Sequence, residues 1–138
     1  MGTKVATQIL FAENQSSEIK MWQAVVMTAF EDVINNLSDK KSSIAKWDAF
    51  KWFHDRVEFD TVCYLADFDA DYVYERYLKA VDNEIIRFTQ RQIAWARYSE
   101  VINQYNIETD KKKRSQLKKQ LEIERQRVMN ASTVSQMQ

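Results

Sequence analysis

The chain has no proline and a single glycine, Gly2, among its 138 residues. Tight β-hairpins draw on glycine for their primed turns, so a hairpin-rich sheet is disfavoured. Helices, which proline would interrupt, are left free to form. Glycine-rich phosphate loops cannot be written with one glycine. Cys63 is the only cysteine, which rules out an internal disulfide and a paired-cysteine metal site. His54 is the only histidine, so zinc sites and most histidine dyads are excluded as well. These absences predict an all-α protein with no cofactor and no metal, a binding protein rather than an enzyme.

The length suits one compact domain, which at this size buries about two thirds of its unfolded surface. Val5 to Ala12 is the longest apolar stretch near the start and is broken by Thr7 and Gln8, so no signal peptide is expected. No run approaches the ~20 apolar residues of a membrane span. Met1-Gly2 opens like a myristoylation signal, but Ala6 stands where serine or threonine is wanted. The expectation is a cytoplasmic protein with a reduced cysteine and no membrane contact.

Apolar periodicity marks five helical segments. The first is expected over 17–37, capped at Ser16 or Ser17, with Ile19, Trp22, Val26, Ala29, Phe30, Val33 and Leu37 on one face. After a polar loop at 40–43, the second covers 43–55 and aligns Ile44, Trp47, Phe50 and Phe53. A third covers 59–66, with Asp60 as a cap. Asp67-Phe68-Asp69 forms a turn, and a fourth follows over 70–81, capped by Asp69. A long helix is expected over 83–105, with a seam of Ile85, Phe88, Gln92, Trp95, Ser99 and Ile102. Trp22, Trp47, Phe50, Trp52, Phe53, Phe59 and Phe68 are expected to share one core. Residues 111–138 are charged and poor in aromatics, which predicts an exposed or partner-dependent helix and a disordered end from 131. The organisation is thus an N-terminal tail at 1–15, a helical domain at 16–105 and a basic helical arm at 106–138.

The zero net charge hides an asymmetry. Residues 1–60 carry seven basic and nine acidic groups, residues 61–82 two and five, and residues 83–138 eleven and six. An acidic middle followed by a basic final third is the pattern of an interaction tail.

Residues 61–78 have the outline of a helix-turn-helix. Ala66 supplies the small residue late in the first helix, and Phe68 the apolar turn residue. Asp69 caps the second helix. Val73 lies one turn in, with Tyr77 and Leu78 beyond it. This stretch resembles the motif of bacterial and phage DNA-binding proteins. Asp67 stands where that motif places glycine, and Asp69, Asp71 and Glu75 make the start of the second helix acidic. The wider outline, with Trp22 to Val26, Trp52-Phe53 and Phe59 to Cys63 leading into the turn, resembles small phage and prophage proteins. In layout alone it also resembles small terminase subunits. Those resemblances imply an oligomer that binds duplex DNA in transcription control or genome packaging, self-associating through the helices after residue 83. Tyr72, Tyr74, Arg76 and Lys79 would then face the groove, and Arg87, Arg91, Lys111, Lys112, Lys113, Arg114, Lys118 and Lys119 would hold phosphates. The rival is a protein-interaction module without nucleic acid, in which the acidic face of Asp67, Asp69, Asp71 and Glu75 docks a basic partner.

Two further patterns point to ordinary structure. Asp67, Asp69 and Asp71 open like a calcium loop, but Tyr72 and Leu78 occupy the positions that need glycine and a bidentate carboxylate. His54 and Cys63 both lie in amphipathic segments, which suits a helix-end histidine and a buried thiol better than a nucleophile pair.

Overall fold

The computed structural model describes residues 2–132, and the side chains from residue 17 onward. Six helices follow in order: α1 (Gly2–Ile34), α2 (Lys40–His54), α3 (Arg56–Leu65), α4 (Ala70–Asp82), α5 (Gln90–Ile107) and α6 (Lys111–Asn130). No strand occurs among the described residues, so the all-α expectation holds. No helix there is long and apolar enough to cross a membrane.

Caps explain most of the boundary shifts. α1 begins at Gly2 and passes through Ser16 and Ser17 without a break, so neither serine caps it. α2 starts at Lys40 because Asp39 accepts a hydrogen bond from the Ser42 backbone N–H. The expected polar loop at 40–43 is therefore its first turn. α3 is capped by Asp55, which accepts from the Glu58 N–H, and not by Asp60. Asp69 caps α4 as expected, accepting from the N–H groups of Asp71 and Tyr72.

Both turns that flank α4 end their helices in the same way. After α3, the Phe68 N–H reaches Cys63 O at 2.9 Å and the Asp67 N–H reaches Tyr64 O at 3.1 Å. After α4, the Ile85 N–H reaches Ala80 O at 2.9 Å and the Glu84 N–H reaches Val81 O at 3.1 Å. Each is a Schellman closure, which requires a left-handed residue and normally takes glycine. Here Asp67 (φ 58°) and Glu84 (φ 60°) fill that place. The chain thus leaves the helical path at 83–89, and the long helix expected from residue 83 starts only at Gln90. Thr89 opens it with a capping box: its hydroxyl accepts from the Gln92 N–H, and Gln92 Oε1 accepts from the Thr89 N–H.

The core is built by α1 to α4 and Ile86 of the following loop. Val26, Val33, Ala49, Phe53, Phe59, Val62, Cys63, Ala66, Val73, Tyr77 and Ile86 are buried together. Trp22, Phe50, Trp52 and Phe68 pack against them, half-buried. Trp47 is joined through a stacked contact with Phe50. Tyr77 is fully buried, stacked on Phe53 at 4.2 Å, and its hydroxyl lies 2.9 Å from His54 Nε2. Burial pushes that phenol far above its ordinary pKa. His54 therefore partners Tyr77 and not Cys63, whose thiol is buried and raised in pKa.

α6 does not stand free. It folds back along α5, and Ser132 O accepts from the Arg91 N–H at 2.9 Å, closing the open end of the hairpin. Leu121, Glu124 and Val128 are its buried residues. The expected disorder from residue 131 falls mostly at 133–138, outside the described residues.

A candidate nucleic-acid interface

α4 is amphipathic by position. Val73 and Tyr77 point into the core, which leaves Tyr72, Arg76 and Lys79 along one exposed flank at spacings of four and three, with Asp71, Glu75 and Leu78 directly opposite the core. Tyr74, expected beside Tyr72, Arg76 and Lys79, is half-buried: its ring meets Phe59 and Tyr77 at 6.0 Å, and the Arg56 guanidinium covers it at 4.5 Å. It belongs to the rim of the core on the other flank of α4, toward α3 and away from Tyr72, Arg76 and Lys79.

The junction of α3 and α4 is anchored from three sides. Ala66 is fully buried, Val73 sits in the same cluster, and Gln23 of α1 donates through Nε2 to Ala66 O at 3.1 Å. The acidic start of α4 is partly answered within the chain. Asp71 pairs with Arg56 at 3.1 Å, Glu75 lies 3.9 Å from Lys79, and the Asp69 carboxylate serves the helix N-terminus. Asp67, Asp69, Asp71 and Glu75, the acidic face expected to dock a basic partner, all stay exposed to solvent.

A groove of about 620 Å³ runs between α1 and α4. Val26, Met27, Phe30 and Ile34 form one wall, while Tyr72, Arg76, Lys79 and Ala80 form the other. The exposed flank of α4 thus borders an apolar trough and does not face solvent alone.

The expected phosphate contacts separate into two further places. At the start of α5, Arg91 is half-buried and donates to Ala131 O at 3.4 Å, and its Nε is buried without a partner. Arg87 is half-buried in the loop before it, with its carbonyl oxygen bound by Lys46 Nζ. At the other end of the hairpin, Arg114 donates to Tyr105 O (2.8 Å) and Glu108 O (3.1 Å) and lies 4.0 Å over the Tyr105 ring. It closes the C-terminus of α5, where a cation is favoured. Lys111, Lys112, Lys113, Lys118 and Lys119 remain exposed around it. The length of α5 puts Lys111 to Arg114 about 24 Å along the hairpin from Arg91, with Lys118 and Lys119 partway back.

Sequence reasoning missed the most heavily partnered cation. Lys46 is fully buried, and its Nζ donates to Asn35 O (2.8 Å), Arg87 O and Gln92 Oε1 (3.2 Å), while lying 4.8 Å over the Phe88 ring. Burial first, and the charge of Arg87 second, lower its pKa to about 8. Gln92, also fully buried, donates to Asn35 O and Leu37 O. Together the two side chains satisfy carbonyls at the end of α1 that would otherwise be orphaned. The signal was in the periodicity, because Lys46 lies three residues after Ser43 and seven before Phe53, on the stripe of α2 that is buried.

Among the described residues no cluster of histidine, cysteine or carboxylate groups could hold a metal ion. No protein-family model matches the chain, and no curated protein or solved structure matches it either.

Proposed function

We infer that the chain binds duplex DNA through α4, as a helix-turn-helix protein of phage type. It acts as an oligomer in the cytoplasm, in transcription control or viral genome packaging. The observation that carries this reading is the pairing of two short helices by a four-residue turn. The inner face of α4 is fixed by Val73 and Tyr77, and Tyr72, Arg76 and Lys79 are left exposed along its flank. Pairing of Asp71 with Arg56 lowers part of the repulsion that α4 would meet at a phosphate backbone. Tyr72 offers ring and hydroxyl to bases or sugars, and Arg76 and Lys79 neutralise phosphates or reach base edges. The exposed lysines at 111–113 and 118–119 form a second cationic patch for backbone contact. The seam expected for self-association is partly used inside the chain, where Gln92 and Ser99 are buried. Self-association after residue 83 would instead use exposed apolar residues of the hairpin such as Ile123 and Met129.

A second reading is favoured by the apolar trough beside α4. In it the same flank docks a protein ridge whose carboxylates answer Arg76 and Lys79, with no nucleic acid involved.

Fluorescence anisotropy with a labelled 30-mer duplex across a salt series tests both. The DNA reading expects affinity to fall steeply with salt. Arg76→Ala with Lys79→Ala should lower the log–log slope by up to about 2, and alanines at Lys111, Lys112 and Lys113 by up to about 3. No binding at low salt, with the fold intact by circular dichroism, overturns it and leaves the protein-docking reading. Light scattering on the same samples reads the oligomer separately.

A further inference from the structure

A separate hollow of about 420 Å³ lies where α2, α5 and the loop 83–89 meet. Its size is that of a small-molecule site. One wall is aromatic and already assembled. Trp47 stacks on Phe50 at 5.7 Å with their planes 14° apart, and Phe88 meets both edge-on at 6.4 and 5.5 Å. The facing wall is a single stripe of α5, with Ile93, Ala96, Arg97 and Glu100 at the i, i+3, i+4 and i+7 positions. Ala96 leaves the space that a larger residue would fill.

The two charges at the mouth are not equivalent. Glu100 Oε1 accepts from Trp47 Nε1 at 2.6 Å and Lys51 Nζ at 2.7 Å. Those bonds hold its carboxyl below the usual pKa, so it stays ionised with Lys51 as its counter-charge. They also lock the indole of Trp47 in place. Arg97 is exposed and has no hydrogen-bond or ion-pair partner among the described residues. The hollow therefore presents an apolar interior, a fixed aromatic wall and one uncompensated cation. A guanidinium in that position is suited to a bidentate carboxylate.

We propose that this hollow binds a small amphipathic carboxylate, its aryl or alkyl group against Trp47, Phe50 and Phe88 and its carboxylate on Arg97. The site shares no residue with the exposed flank of α4, so it stands or falls independently of DNA binding.

The test uses the full chain, phenylbutyrate as the acid, and phenylbutanol as the neutral compound with the same tail. Binding is followed by isothermal calorimetry and by amide chemical shifts. The acid should bind with a dissociation constant on the order of 1 mM, the range open to so small a probe. The alcohol should bind about tenfold more weakly, the margin a charge-assisted contact supplies. Shifts should centre on Ile93, Ala96 and Arg97. Arg97→Gln, on an exposed side chain, should bring the acid to the affinity of the alcohol and leave the alcohol unchanged. Ala96→Leu should abolish both with the fold retained by circular dichroism. Equal binding of the acid by Arg97→Gln and the parent chain overturns the proposal, as do shifts that map elsewhere or an absence of shifts at saturating probe.

Discussion

The body of four helices and the α5–α6 hairpin reach stability by different means. In the body, Phe53, Phe59 and Tyr77 are fully buried, with Phe53 in ring contact with both of the others and Trp52 and Phe50 around them. In the hairpin, the buried residues are Gln92, Ala94, Ala96, Tyr98 and Ser99 on α5, and Leu121, Glu124 and Val128 on α6. The first interface removes large aromatic surfaces from water, which is where most hydrophobic free energy lies. The hairpin buries mostly small or polar side chains, several of them against the body, as Ala96 faces α2 and Gln92 reaches the end of α1, and its polar groups must find partners. Glu124 shows how narrowly that succeeds: Oε1 accepts from Gln120 and Arg127, and Oε2 is buried without a partner. The hairpin is therefore the dependent region, and it is pinned to the body at Lys46 and Gln92.

Removing a central ring should have the largest effect. Phe53→Ala deletes a fully buried side chain that touches Phe30, Trp52, Phe59 and Tyr77. It should cost about 3–5 kcal/mol by urea denaturation, where Leu121→Ala in the thinner interface should sit near ~2 kcal/mol. If the hairpin leans on the body, Phe53→Ala should lower the midpoint of both regions by amide exchange. Leu121→Ala should loosen the hairpin alone. Equal costs for the two variants would break the contrast.

The pin itself can be read through pH. Lys46 has a pKa of about 8 in the folded chain, against 10.5 as the ordinary value. Between those values the unfolded chain keeps a proton that the folded chain has released. Stability contributed by this group should therefore rise with pH across that window and be flat below it. The slope cannot exceed ~1.4 kcal/mol per pH unit for one proton. Below pH 8 the folded state carries a buried ammonium whose partners are all neutral oxygens. Lys46→Met should remove that rise, at the expense of leaving Arg87 O without its donor. A parent chain whose stability shows no rise from pH 8 to 10 relative to Lys46→Met would place the lysine in a wetter setting than its burial implies.

The start of α4 was legible because Asp69 is both a strong cap and the end of an unmistakable turn. The exposed placement of Tyr72, Arg76 and Lys79 followed from the same register. Tyr74 was not legible, because the helical pattern puts it at an intermediate angle and Arg56, distant in sequence, covers it. Arg91 and Arg114 look in the sequence like solvated charge. Their partners are main-chain carbonyls of helix ends and of the chain after α6, and no side-chain pattern announces those. The start of α3 was misplaced because Arg56, Val57 and Glu58 carry no apolar period, although Asp55 caps them. The packing of α6 was hidden for a related reason: its interface needs few large apolar residues, and a sparse stripe reads as an exposed face.

The break at 83–89 is the most instructive miss, and it yields the smallest expected effect. A Schellman closure is ordinarily visible as glycine at its left-handed position, and this chain writes Asp67 and Glu84 there. A β-carbon in that region is disfavoured, less so for aspartate, whose short side chain tolerates it better than most. Glu84→Gly should therefore stabilise the chain by about 1 kcal/mol by removing that strain, offset in part by greater freedom of the unfolded chain. Asp67→Gly should gain less. Glu84 is exposed, so the substitution removes little packing to confuse the comparison. The gain belongs to the joint between body and hairpin and not to either core, so Glu84→Gly should raise both transitions together. If it raised the midpoint of one region only, the loop 83–89 would be part of that region and the two would be separable units.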